Sequence, residues 1–144
     1  MGDACCLHAF LLFKCKLLAM KPDLDTPENI KAFVDSFYAK VLSDTVLKPI
    51  FIDVIGIDIK VHKPLICQYW EKLLLGSKEY KRHTMNIHRD IHDKIPLSAS
   101  DFERWLQLFK ETAEFEFDGP LTDRAVEIAT SIAGNMNKTL NEGI

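Results

Sequence analysis

Apolar residues recur at intervals of three and four along most of this chain, from about residue 30 to about residue 140. That spacing places them on one face of an α-helix. The only β-like run, residues 51–59, is interrupted by Gly56. The chain has 144 residues, which is enough for one domain with a real core. The pattern therefore predicts a single all-α domain.

The first two long helices are predicted from their start and stop signals. Thr26 can cap the first, and Pro27 suits its first position. The second is expected from about residue 60 to residue 75, where Gly76 provides a C-terminal stop. Pro64 must then lie in the first turn of this helix or kink it.

The remaining helices are marked in the same way. A short helical piece with Pro49 as punctuation follows the first long helix, and Thr84 caps a short helix that contains the sequence MNIHRDIH. Ser98 or Ser100 is expected to cap the third long helix, and Thr122 the last one.

The first twenty residues differ from the rest and are predicted to be an extra N-terminal segment, either a helix or a tail. They are apolar, but Lys14 and Lys16 interrupt them, so a membrane span does not fit. A myristoylation signal is hinted at by Met-Gly, but Cys6 stands where Ser or Thr is expected. Residues 21–144 are assigned to the domain itself.

Charge and cysteine content narrow the class of protein. The net charge of −3 implies no dedicated acidic or basic partner, and no basic stripe or motif supports nucleic-acid binding. The four cysteines do not form a disulfide framework or a zinc ribbon, which favours a reducing cytoplasm. They are Cys5, Cys6, Cys15 and Cys67.

Four polar or amphipathic side chains interrupt otherwise apolar helix faces. Tyr38 lies on the first long helix, His62 on the second, His88 on the short helix and Trp105 on the third. A buried Tyr, His or Trp needs a hydrogen-bond partner for its polar end. The four could converge on one cavity, although each taken alone is also an ordinary core or surface residue.

Two kinds of metal site are compatible with these residues. Zinc is suggested by His88 and His92, four residues apart on one helix, with His83 nearby. Haem needs one axial imidazole and an apolar slot for a large flat cofactor. Residues able to line such a slot are Phe51, Leu65, Ile66, Met85 and Phe109. A non-haem helical module that binds zinc or another protein therefore remains the alternative.

Four blocks resemble one family in their order and spacing. The blocks SFYAKVLSDTVLKPIF, QYWEKLLLGSKEY, TMNIH and FERWLQLF are together similar to the truncated haemoglobins of group III. No Gly-Gly pair is present, whereas the first two groups commonly carry one at interhelical turns. The resemblance extends from about residue 30 to residue 136 and implies a two-over-two helical sandwich around haem b.

The resemblance also implies roles for individual residues. It makes His88 the proximal iron ligand, and it places Tyr38, His62 and Trp105 on the distal, ligand-binding side. Phe51 matches the phenylalanine packed on the haem face, while Trp70 and Tyr80 match aromatic positions near the cofactor. Arg89 is among the cations that could meet the haem propionates. His92 has no place in the pattern. It is expected to be exposed to solvent, with a propionate contact or a second iron ligand as the alternatives.

A haem protein of this kind is expected to bind O2, NO or CO, or a small anion such as cyanide. A polar distal pocket suits ligand detoxification, peroxide or nitric-oxide chemistry better than simple oxygen delivery. Turnover would require a reductase that the sequence does not identify. No membrane association is expected.

Overall fold

The computed structural model of this protein describes residues 20–54, 56, 58–80, 92 and 97–142. Within these ranges the chain is helical and contains no strand, as the periodicity predicts. The long helices are α1 (Pro27–Val41), α2 (Ile59–Leu75), α3 (Ala99–Glu116) and α4 (Pro120–Asn137). Two π-helical segments, Pro49–Val54 and Lys138–Glu142, follow α1 and α4.

The long helices pack as two pairs. Helix α1 lies against α2, and α3 lies against α4, while contacts of α1 with α3 and of α2 with α4 join the pairs into two layers. This is the predicted two-over-two sandwich. Between the layers lie the most deeply buried large side chains, which are Leu24, Ile30, Phe33, Val34, Val41 and Phe109. Of the helices in the described part of the chain, none combines the length and the apolarity needed to cross a bilayer.

Most of the predicted helix ends are confirmed. The Thr26 hydroxyl accepts the Asn29 N–H at 3.1 Å, and α1 begins at Pro27. Gly76 ends α2 in a left-handed conformation with φ of 75°. Ser98 caps α3 through a reciprocal capping box with Asp101. Such signals act within three or four residues, so they can be read from the sequence.

The predicted cap of the last helix is wrong. Helix α4 begins at Pro120, and Thr122 lies inside its first turn, where the backbone N–H groups need acceptors from elsewhere. Asp23 supplies them: its carboxylate accepts from the backbone N–H groups of Leu121 and Thr122 and from the Thr122 hydroxyl. The residue at the cap position, Gly119, contributes no side chain.

Pro64 lies inside α2 rather than at its start, because the Asp58 side chain caps the helix by accepting the Lys60 N–H. A proline at this position cannot donate to the carbonyl four residues earlier, that of Lys60. The helix nevertheless continues on both sides of Pro64, so His62 stays on a helical turn that faces α1.

An ion pair between the buried Asp44 and the half-buried Arg104 connects the corner after α1 to α3. The Nε and Nη2 atoms of Arg104 lie 2.8 and 2.5 Å from Asp44 Oδ1. The other carboxylate oxygen, Oδ2, accepts the N–H groups of Val46 and Leu47. Hydrogen bonds from Arg104, assisted by the two backbone donors, hold the pKa of Asp44 below its ordinary value despite burial. The pair fixes the position of α3 next to Trp105.

Candidate functional site

Within the described part of the chain, one hydrogen bond joins two of the predicted site residues. It connects Tyr38 and His62. The Tyr38 hydroxyl lies 2.8 Å from His62 Nε2. Tyr38 is almost completely buried on α1, and burial raises the pKa of its hydroxyl well above the ordinary value. The hydroxyl is therefore protonated at any physiological pH and remains a hydrogen-bond donor.

Aromatic rings surround this pair. The Tyr38 ring makes edge contacts with Phe37 and with Phe51, at centroid distances of 5.5 and 6.2 Å. Phe37 in turn makes an edge contact with Trp105 on α3 at 5.7 Å. All three predicted distal residues and the predicted haem-face phenylalanine thus belong to one group. It forms because the inward faces of α1, α2 and α3 meet there.

Trp105 differs from Tyr38 in having an unused donor. Within the described residues, its indole N–H makes no hydrogen bond to protein. Trp105 is half-buried, so part of its side chain is exposed. A donor without a protein partner is suited to a small polar ligand.

The same aromatic contacts continue away from Tyr38. Trp105 packs on Phe109 at 5.4 Å, and Phe109 on Trp70 at 5.1 Å. Trp70 then touches Tyr69 at 5.9 Å, and Tyr69 touches Tyr80 at 5.1 Å. The predicted residues Phe109, Trp70 and Tyr80 therefore join the distal group through a continuous series of rings.

Two other predicted lining residues lie on α2. Ile66 packs against the core, whereas Leu65 is half-buried and is not part of the core cluster. The predicted residues His88, Met85 and Arg89 lie outside the described residues, as do His83 and the predicted Thr84 cap. The assignments of these five residues remain predictions.

The expectation that His92 is exposed to solvent is wrong. Its side chain is half-buried, and Nδ1 accepts the backbone N–H of Leu97 at 2.9 Å. The carbonyl of Leu97 accepts in turn from the Asn141 amide, so the chain just before α3 is held on both sides. Because Nδ1 is the acceptor, a neutral His92 carries its proton on Nε2.

Sequence reasoning did not single out Phe37 or Tyr69 as site residues. Phe37 contacts both Tyr38 and Trp105, and Tyr69 connects Trp70 to Tyr80. Both lie on inward helix faces, where an aromatic residue looks like ordinary core. The adjacency of Phe37 to Tyr38 and of Tyr69 to Trp70 was the one available signal.

We looked for groups of three or more His, Cys, Asp or Glu side chains that could hold a metal ion. The described part of the chain contains none. An apolar aromatic wall with an indole N–H that has no protein partner among the described residues fits one face of a haem.

Comparison with known proteins identifies the family. The profile of the bacterial-like globins matches residues 24–138. The group 3 truncated haemoglobin ctb of Campylobacter jejuni is 31% identical over 124 residues, which are 84% of this chain and 95% of that protein. The chain is a group III truncated haemoglobin.

A solved structure supports the same assignment. The crystal structure of the group III truncated haemoglobin from Campylobacter jejuni superposes with a TM-score of 0.76 and 30% identity, covering 87% of this chain and 98% of that one. Membership of this globin family implies that the present truncated haemoglobin binds haem and a diatomic ligand.

Proposed function

We propose that this truncated haemoglobin binds haem b through His88 and holds a diatomic ligand on the side of Tyr38, His62 and Trp105. The haem iron supplies the site that binds O2, NO or CO. The observation that carries the proposal is the buried Tyr38–His62 hydrogen bond inside an aromatic wall that also presents the Trp105 N–H. Phe51, Leu65, Ile66, Trp70, Tyr80, Met85 and Phe109 are the proposed apolar lining, and Arg89 is a proposed contact of the propionates.

Each distal residue has a distinct role in this proposal. When His62 Nε2 donates to the Tyr38 oxygen, the hydroxyl proton of Tyr38 is free to be donated to the ligand. Trp105 offers a second donor. His62 therefore acts mainly by orienting Tyr38. Each charge-assisted bond to a polar ligand contributes about 1.5–3 kcal/mol.

Such a pocket retains O2 and stabilises charge on a bound ligand, so it suits chemistry better than rapid release. We infer detoxification of nitric oxide or peroxide, supported by a reductase, in preference to oxygen delivery. A small anion such as cyanide would be accepted by the same donors. A cytoplasmic location is part of the proposal and rests on the cysteine pattern of the sequence.

The deciding experiment is an absorption spectrum of the ferric, ferrous and carbonmonoxy forms, combined with metal analysis. The wild-type protein is expected to show a Soret band and to contain iron. Replacement of His88 by Ala removes the axial imidazole and is expected to release haem or to change the spin state.

His92→Ala is the matched control, since it removes a histidine four residues away whose Nδ1 already bonds to Leu97. It is expected to leave the spectrum unchanged. A colourless protein that contains stoichiometric zinc, and loses it on either substitution, would contradict the haem assignment.

A further inference from the structure

The series of aromatic rings that leaves the distal group includes a tyrosine, Tyr69, that is partly exposed. Tyr69 is half-buried on α2, and its hydroxyl makes no hydrogen bond to protein within the described residues. Because the residue is only half-buried, part of its side chain is exposed. Oxidation of a phenol releases a proton, and at a partly exposed residue such as Tyr69 water can accept it.

The series consists mostly of rings that can be oxidised. From Trp105 it passes over Phe109 to Trp70 and then to Tyr69, and each neighbouring pair of ring centroids lies 5.1 to 5.9 Å apart. The one ring that resists oxidation, Phe109, is packed between two indoles. An electron therefore needs to pass only a single ring between Trp70 and Trp105.

We propose that Tyr69 is a surface oxidation site, which supplies electrons to the distal side of the haem pocket along Trp70, Phe109 and Trp105. The proposal rests on the proposed haem function, because the haem pocket is where a peroxide would be reduced. It adds a second place of reaction, at which a small reducing molecule of the phenol class is oxidised without entering the pocket.

The step balances with a peroxide as the oxidant. Reduction of hydrogen peroxide to two waters takes up two electrons and two protons. Each electron leaves one Tyr69 phenol, whose O–H bond breaks and whose proton passes to water, so that a neutral tyrosyl radical forms. A phenolic donor then returns one hydrogen atom to the Tyr69 oxygen. Two donor molecules are oxidised for each peroxide.

Charge favours Tyr69 over its neighbour. Tyr80 stacks edge-on against Tyr69, but the ammonium group of Lys72 lies 5.9 Å from the centre of the Tyr80 ring. A cation over an aromatic face is attracted by its electrons and opposes the removal of one. The radical is therefore expected at Tyr69 and not at Tyr80.

Tyr38 is the competing end point. It is separated from Trp105 by the Phe37 ring, and its hydroxyl lies 2.8 Å from His62 Nε2, which can accept the phenol proton. A radical formed at Tyr38 would stay inside the pocket. The location of the radical thus decides between the two routes.

The test uses the holoprotein, after its Soret band has been recorded. The ferric form is mixed with hydrogen peroxide in the presence of a nitrone spin trap, and the adduct is located by peptide mass spectrometry, with freeze-quench electron paramagnetic resonance as a second readout. We expect the adduct on Tyr69 and its loss in Tyr69→Phe. Trp70→Phe keeps an aromatic ring but removes the relay, so most of the Tyr69 adduct is expected to disappear.

Two variants serve as controls for the route. Tyr80→Phe is expected to leave the Tyr69 adduct unchanged, whereas Lys72→Gln is expected to move part of it to Tyr80. An adduct confined to Tyr38, or a Tyr69 adduct that persists at full yield in Trp70→Phe, overturns the proposal. A wild-type protein without a Soret band overturns the proposed function and this proposal together, and a normal Soret band with no tyrosyl radical overturns this proposal alone.

Discussion

Among the proposed distal residues, Tyr38 is the one whose substitution should change O2 binding most. Tyr38→Phe keeps the ring and its contacts with Phe37 and Phe51 but removes the hydroxyl. Because one charge-assisted hydrogen bond is lost, we expect O2 to dissociate at least about tenfold faster. CO carries much less charge on its outer atom, so its dissociation should change far less. Stopped-flow ligand replacement measures both rates.

Trp105→Phe and His62→Leu rank the other donors. Trp105→Phe should also speed O2 dissociation, and its effect should not add to that of Tyr38→Phe, because both donors share one ligand. His62→Leu should matter less than either. In the proposed arrangement His62 contacts the Tyr38 hydroxyl and does not itself donate to the ligand. If His62→Leu raised the O2 dissociation rate steeply while Tyr38→Phe left it unchanged, the distal histidine would be the principal donor.

Asp44 makes stability depend on pH in a defined direction. Its pKa is below the ordinary value in the folded protein, mainly because Arg104 donates to it. The corresponding stabilisation is therefore fully present above the ordinary carboxyl pKa and is lost as the pH falls through the lower folded value. Asp44→Asn should lower the unfolding free energy by about 1.5–3 kcal/mol at neutral pH.

The difference in unfolding free energy between wild type and Asp44→Asn should shrink as the pH falls below about 4. This range follows from the ordinary aspartate pKa of 3.8. Urea unfolding at several pH values measures it. Asp101→Asn serves as a comparison, because Asp101 also accepts a backbone N–H but is more exposed. A constant difference down to strongly acid pH would show that the ion pair does not contribute as argued.

Helix α2 carries a proline that costs it a hydrogen bond. Pro64 is exposed and lies inside the helix, so alanine there would restore a donor to the Lys60 carbonyl without removing core packing. We expect Pro64→Ala to raise the unfolding free energy by about 1–3 kcal/mol. Thermal or urea denaturation tests this.

The same variant checks the orientation of His62. If α2 already holds His62 against Tyr38, the O2 dissociation rate of Pro64→Ala should equal that of the wild type. Lys60→Ala is a suitable control, because it changes an exposed residue of the same turn and should shift stability by no more than about 0.5 kcal/mol. A destabilised Pro64→Ala protein would mean that the bend at Pro64 is needed for α2 to pack.

Helix ends that depend on neighbouring residues could be predicted from the sequence, whereas those that depend on distant residues could not. Thr26, Ser98 and Gly76 were predicted correctly because each acts on groups within its own helix end. Thr122 was misassigned because the true cap, Asp23, lies 99 residues away in the chain. No periodic pattern contains such a partner.

The candidate site shows the same limit. Helical spacing predicts that Tyr38, His62 and Trp105 face inward, but it does not give their distances. The 2.8 Å contact of Tyr38 with His62 depends on how α1 packs on α2. The half-buried position of His92 likewise depends on Leu97, beyond a stretch with no clear helical pattern.

For the whole molecule, the domain is expected to fold without the first nineteen residues. The chain from Lys21 to Leu24 already belongs to the fold: the Pro22 carbonyl accepts the Asp118 N–H, Asp23 caps α4, and Leu24 is 1% exposed. A shortened chain that begins at Met20 keeps all three contacts. It should unfold within about 1 kcal/mol of the full chain and bind haem equally well.

Circular dichroism and haem titration of the two chains, full-length and shortened, provide the measurement. A shortened chain beginning at Asp25 is the informative comparison, since it loses Asp23 and Leu24 and should be clearly less stable. An insoluble or haem-free protein from Met20 would show that residues before Met20 are part of the domain.

The cap that Asp23 places on α4 has a consequence for the order in which the protein forms. A Cβ atom at Gly119, where φ is 139°, would lie 2.4 to 2.8 Å from atoms of the Asp23 side chain, so the carboxylate occupies the space that a local capping residue would need. The contacts that hold Asp23 at the start of the domain therefore need the last long helix, α4. During synthesis on the ribosome, Asp23 emerges early, and its three contacts with residues 121 and 122 cannot form until α4 follows. A chain that stops before α4 leaves this end of the domain open, and the fold closes only when both ends are present.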